Sequence, residues 1–131
     1  MNTETYRPIV LSLLRIIVAY NFLLHGTAKL FGLPHIEMFD GMPLFSLMGA
    51  AGILEVVGGI LLLLGLFTRI TSFVLSGMMA VAYFMAHAFP QGNLLLPLLN
   101  GGEPAVLFCF VFLYLSVAGG GSLSLDAKLA K

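Results

Sequence analysis

The sequence has few charged residues and a single cysteine. Of its 131 residues only 9% are charged, whereas 60% are hydrophobic, and the mean hydropathy is +1.05. A soluble chain of this length would need far more polar surface to cover one core. Because Cys109 stands alone, an intramolecular disulfide, a Cys-x-x-Cys redox pair and a thiolate metal site are excluded. The surplus apolar surface must therefore face lipid.

Clusters of basic residues are also lacking. The six lysines and arginines are scattered singly and the net charge is zero, which argues against nucleic acid as a partner, since such proteins concentrate basic residues on one face. A secretory signal is not evident either, because the apolar stretch after Arg7 continues too far and has no small-residue cleavage pattern. We interpret this stretch as the first membrane span of a single domain over residues 1–131.

Four mostly apolar windows are long enough to cross a bilayer, whose hydrocarbon core needs roughly 20 helical residues. Proline opens the first and the last window, where a missing N–H is harmless, and turns rich in glycine and proline follow the windows. The sequence therefore predicts an all-α integral membrane protein, a four-helix transmembrane bundle. The predicted spans cover residues 8–31, 44–67, 70–89 and 104–123.

The basic residues predict the orientation of these spans. With four spans, both termini and the short Thr68-Arg69 turn lie on one side of the membrane, and only Lys29 lies near the edge of the opposite side. The first side also holds Arg7, Lys128 and Lys131. Since loops rich in lysine and arginine stay inside, both termini are expected in the cytoplasm.

Two ionisable residues fall inside the predicted spans, where an unpaired charge costs about 3 kcal/mol or more. Arg15 lies about two turns into the first span, and Glu55 lies near the middle of the second. Counted from the cytoplasmic face, their depths differ by about one helical turn, so a buried Arg15–Glu55 ion pair is predicted. Gly52, Gly58 and Gly59 share the Glu55 side of their helix and would let another helix approach closely.

A buried pair of this kind has two interpretations. It can fix the register of two helices without taking part in chemistry, since buried ion pairs can specify packing. Alternatively, Glu55 carries protons or hydrogen-bonds the head group of a bound molecule, which requires water or ligand to reach the middle of the bilayer. The sequence leaves both interpretations open.

A second set of polar residues is predicted near the outer ends of the spans, where neutral histidine can donate or accept a proton. The predicted pocket consists of His25, Lys29, His87, Asn100 and Glu103. Each member also has an ordinary interpretation: the lysine reaches the interface, the glutamate favours the positive end of a helix, and the histidines are interfacial residues. No metal is predicted, because no local ligand spacing such as His-Glu-x-x-His is present.

Several short motifs, in this order along nearly the whole chain, resemble the DoxX family of small four-helix bacterial membrane proteins. They are Leu14-Arg15-Ile16, His25-Gly26-Thr27-Ala28-Lys29-Leu30-Phe31-Gly32, Glu55-Val56-Val57-Gly58-Gly59, Leu64-Gly65-Leu66-Phe67-Thr68-Arg69, His87, Asn100-Gly101-Gly102-Glu103, and Gly119-Gly120-Gly121 before Ser124-Leu125-Asp126. The family often has Gly-Pro-Gly where this chain has three glycines, a departure that affects the end of the last helix rather than a charged position.

The resemblance implies a four-helix bundle in the bacterial inner membrane. It also implies that the family's recurrent polar residues are Arg15, His25, Lys29, Glu55, His87 and Glu103. The family takes its name from a subunit associated with a terminal quinol oxidase and with thiosulfate:quinone oxidoreduction, and relatives are described as membrane partners in redox complexes. This implies a non-autonomous oxidoreductase subunit.

Our first functional hypothesis is therefore a membrane component of an oxidoreductase system that binds a quinone or a similar amphipathic molecule. Glu55 and His87 would transfer protons, whereas Arg15, His25, Lys29, Asn100 and Glu103 would form the binding site. The sequence offers no haem axial pair, no flavin or nucleotide fingerprint and no iron–sulfur cysteines. Electrons would have to come from a partner subunit or from the substrate.

Two alternatives remain. In a transporter of small solutes or protons, an Arg15–Glu55 pair would gate a polar path, and because four helices leave little lumen, such a protein would act as an oligomer. In a non-catalytic membrane anchor or assembly factor, replacing Glu55 or His87 would lower protein abundance or complex formation without a separable loss of chemistry.

Overall fold

The computed structural model describes residues 2–131, and within that range all regular structure is helical, with no strand. The long helices are α1 (Thr3–Phe31), α2 (Leu47–Leu64), α3 (Thr68–Gln91) and α4 (Glu103–Ala118). Shorter elements are a 3-10 turn at Glu37–Phe39, a helical turn at Pro97–Asn100 and α5 at Leu125–Leu129. The predicted fold class, an all-α membrane protein built as a helical bundle, is confirmed.

Local sequence explains where the first two long helices begin and end. The side chains of Asn2 and Ser46 precede α1 and α2, and each accepts a hydrogen bond from a backbone N–H of the first turn. Gly32 and Gly65 end these helices with φ angles of 66° and 70°. A left-handed residue directly after a helix is a common stop signal, and glycine adopts that conformation without steric cost.

Three of the helices, α1, α2 and α3, are long and apolar enough to cross a membrane, whereas α4 is a shorter apolar helix of 16 residues. At 1.5 Å per residue α4 rises about 24 Å, less than the roughly 30 Å of a bilayer core. The predicted fourth window extended to residue 123, but the helix ends at Ala118 because Gly119 and Gly121 adopt φ angles of 83° and 82°.

Large apolar side chains cover the surface of the helices. Val10 and Ile17 on α1 are each 59% exposed, and Phe110 on α4 is 64% exposed. Contiguous apolar surface of this extent is rare on monomeric proteins in water. These side chains are therefore in contact with the lipid bilayer.

The chain forms two compact units. The first unit holds the chain up to Thr68 together with Gly120–Lys131, and the second unit is Arg69–Gly119. In the first unit α1 and α2 pack side by side in opposite directions, since Gly26 meets Glu55 while Gly59 meets Leu23. The C-terminal segment 120–126 lies against the N-terminal half of α1, where Ser122 N–H donates to Pro8 O.

The second unit contains a distortion in α3. Residues Tyr83–Ala88 are π-helical, and Phe89 N–H donates to Phe84 O, five residues earlier. Tyr83 and Ala88 are buried in a small apolar core with Ala105. Single π-helical turns of this kind are frequent at functional sites, and this one presents Tyr83 to the loop that follows α3.

Candidate functional site

The most buried pair of opposite charges lies between α1 and α2. Lys29 Nζ is 2.6 Å from Glu55 Oε1, and the two side chains are 11% and 4% exposed. The second carboxylate oxygen, Glu55 Oε2, is buried and has no hydrogen-bond partner within residues 2–131. An unpartnered acceptor in this environment is costly. The pair therefore leaves one strong acceptor unused inside a membrane-spanning hairpin.

Glycines bring the two helices close enough for this pair to form. A Cβ added at Gly26 would lie 2.8 Å from Glu55 Cβ and 2.8 Å from Val56 N, so α1 contacts the backbone of α2 at this point. On α2, a Cβ at Gly52 would meet Lys29 Cβ at 3.2 Å. Small residues permit such close helix contacts in membranes, and the helix that approaches the predicted glycine face of α2 is α1.

The predicted Arg15–Glu55 ion pair is wrong, because Glu55 pairs with Lys29. The register of the hairpin explains the error. Gly26 packs against Glu55, whereas Arg15 lies beside Gly65, where an added Cβ would be 2.8 Å from Arg15 Nη1. Glu55 and Gly65 are separated by about 15 Å along α2 at 1.5 Å per residue. An arginine side chain does not span that distance.

Arg15 instead holds the C-terminal segment of the first unit. It is 1% exposed, its Nη1 donates to Gly120 O, and its Nη2 donates to Leu123 O at 2.8 Å. Ser12 Oγ also donates to Gly120 O, at 3.2 Å, and accepts from Leu123 N at 2.9 Å. Gly120 and Leu123 lie outside the helices, so their backbone groups need partners of this kind when they are buried. Arg15 therefore anchors the segment that follows the three glycines.

Asp126 fixes the same segment to the turn before α3. Its carboxylate accepts hydrogen bonds from Phe67 N at 2.8 Å and from Thr68 N at 2.9 Å. Burial opposes ionisation of this carboxyl, but the backbone N–H groups of Thr68 and Phe67 and the charge of Arg15 outweigh burial and lower the pKa of Asp126. The aspartate is therefore a charged cap at the start of α3.

An aromatic ring from the loop between α1 and α2 lies against the Lys29 ammonium. The centroid of the Phe39 ring lies 5.7 Å from Lys29 Nζ, a cation–π distance. The loop around Phe39 is otherwise exposed, including Met38 at 77% and Phe45 at 99%. The ring is itself partly buried, and backbone hydrogen bonds such as Phe39 N–H to Ile36 O at 3.0 Å shape the turn that carries it.

In the second unit, Asn100 organises the loop between α3 and α4. Its Nδ2 donates to Tyr83 Oη at 3.0 Å and to Asn93 O at 2.7 Å, and its Oδ1 accepts from Gly102 N at 2.8 Å. The Tyr83 hydroxyl in turn donates to Leu94 O at 2.7 Å. The amide of Asn100 thus makes its hydrogen bonds to this loop and to the π-helical segment.

The other predicted site residues are distributed over both units. His25 lies one turn before Lys29 on α1. In the second unit, His87 is partly buried, and its Nδ1 would lie 3.7 Å from a Cβ added at Gly101. Glu103 begins α4 and lines an open apolar depression of ≈ 280 Å³. The predicted outer pocket, which combines these residues with Lys29 and Asn100, stays a prediction.

Metal ligands do not converge in the part of the chain that the structure describes. No three His, Cys, Asp or Glu side chains come close enough there to hold an ion. The polar groups with unused hydrogen-bonding capacity are single atoms on separate side chains, as with Glu55 Oε2 and Arg15 Nε. The Lys29–Glu55 pair itself can supply hydrogen bonding and proton exchange.

Two contributors to these sites were missed by sequence reasoning. Phe39 lies against Lys29 from the loop between α1 and α2, and no local sequence pattern marks it. Asp126 reaches back to Phe67 and Thr68, 59 and 58 residues earlier. Its sequence signals are its place in the closing Ser124-Leu125-Asp126 motif and Ser124 itself, which caps α5 by accepting from Ala127 N at 3.1 Å.

The fold and these contacts define a small helical membrane protein with a lysine–glutamate pair buried in its first hairpin. The DoxX family model matches residues 10–88, and the chain belongs to the DoxX family, as the sequence motifs predicted. A protein of Haemophilus influenzae described as uncharacterized is 49% identical over 132 residues, covering 99% of this chain and 98% of that protein. No solved structure matches the chain significantly. The matched region includes Lys29 and Glu55.

Proposed function

We propose that this DoxX-family protein is a membrane subunit of an oxidoreductase system and binds a quinone, or a similar amphipathic molecule, with its head group at the Lys29–Glu55 pair. The observation that carries the proposal is the buried Glu55 Oε2, which lacks a partner among the described residues, beside a lysine at 2.6 Å from the other oxygen. A polar head group on an apolar tail fits a site with few polar atoms in an apolar helix hairpin.

The pair offers the two interactions that a redox head group needs. The Lys29 ammonium has three N–H groups, of which Glu55 Oε1 accepts one, so a ligand oxygen can accept another. Glu55 supplies a proton acceptor next to the head group. His87 is proposed as a further proton-transfer residue, and His25, Asn100 and Glu103 as binding residues. A partner subunit or the substrate supplies the electrons.

The membrane setting of the proposal is the bacterial inner membrane, with both termini in the cytoplasm. The distribution of basic residues supports this orientation, since Arg7 and Lys128 flank the two ends of the membrane-embedded chain. Reporter domains fused to the N- and C-termini test it. Both fusions should be active only as cytoplasmic reporters, and a reporter active outside the cytoplasm would contradict the orientation.

The proposed binding site is tested by removing both charges together. Lys29→Met/Glu55→Leu should keep the hairpin folded, because replacing a buried pair by apolar residues of similar volume is often neutral. Binding of a decyl-substituted benzoquinone and of its hydroquinone is measured by equilibrium dialysis of the protein in nanodiscs. The unmodified protein should bind at least one form at one site per chain, and the double variant should bind neither.

A matched control removes an exposed ion pair instead. Arg7 Nη2 lies 2.9 Å from Glu4 Oε1, with both side chains more than half exposed, and Arg7→Met/Glu4→Leu should bind the ligand as the unmodified protein does. Unchanged binding in a folded Lys29→Met/Glu55→Leu variant would refute the proposed site.

A non-catalytic anchor or assembly factor is the second candidate function. The observation that favours it is that Arg15 and Asn100 direct hydrogen bonds to other groups of this chain, mostly backbone groups. If the chain is only an anchor, a redox partner that co-purifies with the folded Lys29→Met/Glu55→Leu variant should turn over as fast as it does with the unmodified protein. Loss of quinone-dependent turnover at constant abundance of the complex would exclude this alternative.

A further inference from the structure

The unused atom at the Lys29–Glu55 pair is a hydrogen-bond acceptor. Glu55 Oε1 accepts from Lys29 Nζ at 2.6 Å, which leaves Oε2 as the buried oxygen with no partner in residues 2–131. An ionised carboxylate has no hydrogen to donate. A ligand atom that satisfies Oε2 must therefore carry a hydrogen of its own.

The charge of the site limits the class of ligand further. Lysine and glutamate cancel, so the pair is neutral as a unit, and both side chains are almost fully buried. An anionic head group would meet the Glu55 carboxylate, and a cationic one would meet the Lys29 ammonium, at a separation where repulsion in a poorly hydrated site is strong. A neutral hydroxyl group meets neither obstacle.

We propose that the Lys29–Glu55 pair selects neutral head groups that carry a hydroxyl donor, and that it therefore binds a hydroquinone more tightly than the corresponding quinone. This inference rests on the proposed function and adds the redox form of the ligand. The hydroquinone hydroxyl donates to Glu55 Oε2, whereas a quinone carbonyl has no hydrogen and leaves that oxygen unsatisfied.

The two members of the pair make different contributions. Lys29 can donate to the oxygen of either redox form, so it strengthens the binding of both. Glu55 Oε2 interacts favourably with the hydroquinone alone. A hydrogen bond to a charged group is worth enough to change affinity by about tenfold to hundredfold. The affinity for the hydroquinone should therefore exceed that for the quinone by about tenfold to hundredfold. This difference should depend on Glu55.

We infer that a ligand approaches the pair from the side of the Phe39 ring, whose centroid lies 5.7 Å from Lys29 Nζ. The neighbouring side chains are exposed, Ile36 at 38% and Met38 at 77%. Displacing the ring opens the pair toward the end of α1. Phe39→Ala should therefore accelerate the association of both redox forms without changing the ratio of their affinities.

A substitution at Glu55 should change the ratio itself. In Glu55→Gln the amide oxygen can accept from Lys29, which places the amide NH₂, a donor, where Oε2 lies in the unmodified protein. That donor suits the carbonyl of a quinone and opposes the hydroxyl hydrogen of a hydroquinone. The preference should therefore fall at least tenfold or invert. Glu4→Gln, the same change at an exposed position, should leave the ratio unchanged.

The test measures separate dissociation constants for a decyl-substituted benzoquinone and its hydroquinone, by calorimetry in nanodiscs under oxygen-free conditions. The unmodified protein should prefer the hydroquinone at least tenfold, which raises the two-electron potential of the bound couple by about 30 mV. The dimethyl ether of the hydroquinone, which has no donor, should bind as weakly as the quinone. This comparison uses only the unmodified protein and so does not depend on how a variant folds.

The outcomes separate this inference from the proposed function. Preference for the hydroquinone, lost in the ether and in Glu55→Gln, supports both. Equal affinity for the two redox forms, or equal affinity for the hydroquinone and its ether, overturns the selectivity and leaves the proposed function intact. If neither redox form binds, the proposed function fails and the selectivity fails with it.

Discussion

The Lys29–Glu55 pair makes a quantitative prediction about stability that a double-mutant cycle tests. Removing one partner leaves the other as an uncompensated charge that is 11% or 4% exposed. Breaking a buried pair in this way costs about 3–5 kcal/mol. Glu55→Leu and Lys29→Met should each lower the free energy of unfolding by that amount, and the double variant should lose less than either single variant. The coupling free energy should therefore be several kcal/mol.

The assay is reversible unfolding by sodium dodecyl sulfate in mixed micelles, followed by far-ultraviolet circular dichroism. The exposed Arg7–Glu4 pair, cycled in the same way, should give a coupling of about 0.2–1 kcal/mol. If the losses of the two single variants at Lys29 and Glu55 add up in the double variant, the two charges are not coupled, and the reasoning about this pair is refuted.

Three further predictions concern positions around the hairpin. Gly26→Ala should cost about 1–3 kcal/mol by overpacking, since its Cβ would lie 2.8 Å from Val56 N, while Gly77→Ala, which meets nothing within 4 Å, should cost nothing measurable. Arg15→Lys should expose residues 120–131 to proteolysis, because lysine cannot hold both carbonyls, and a protease-resistant tail would contradict the anchoring role. Since the pKa of Asp126 is lowered in the fold, its stabilising contribution is present above the ordinary aspartate pKa and is lost as pH falls toward the lower folded value. The protection of the Thr68 amide against hydrogen exchange, taken relative to its intrinsic exchange rate at each pH, should therefore fall on acidification, and Asp126→Asn should remove most of that pH dependence.

Composition and hydropathy were sufficient to predict the helical membrane class, because lipid imposes a length and an apolarity that few sequences share. The ends of the helices were predictable only in part. Gly32 and Gly65 stop α1 and α2 with positive φ angles, but the sequence does not show that α4 ends at Ala118 and that the glycines after it lead the chain back along α1.

The partner of Glu55 could not be predicted by counting residues from the membrane faces. That count assumed spans of equal length, but α1 has 29 residues and α2 has 18. The N-terminal part of α1 therefore extends beyond the end of α2. Arg15 lies in that extension, and its partners are backbone carbonyls of Gly120 and Leu123. Carbonyl partners leave no trace in the sequence, since every residue has one.

The predicted polar residues were nonetheless informative about where the hairpin carries charge. Lys29 was singled out as a member of the predicted outer pocket and Glu55 as a buried residue of the second span, and their pairing with each other was missed. The glycines on the Glu55 side of α2 correctly indicated a close helix contact. Gly26, which brings α1 close to Glu55, lies on α1 within the same motif as Lys29.

The central interaction of the proposed site is the hydrogen bond that Glu55 Oε2 accepts from a bound head group. Infrared difference spectroscopy of the protein with and without decyl-substituted hydroquinone measures this directly through the carboxylate stretching bands. We predict a band shift on hydroquinone binding that is absent with the corresponding quinone and absent in Glu55→Gln. A hydroquinone-bound protein whose carboxylate bands do not shift, or shift equally in Glu55→Gln, would contradict it.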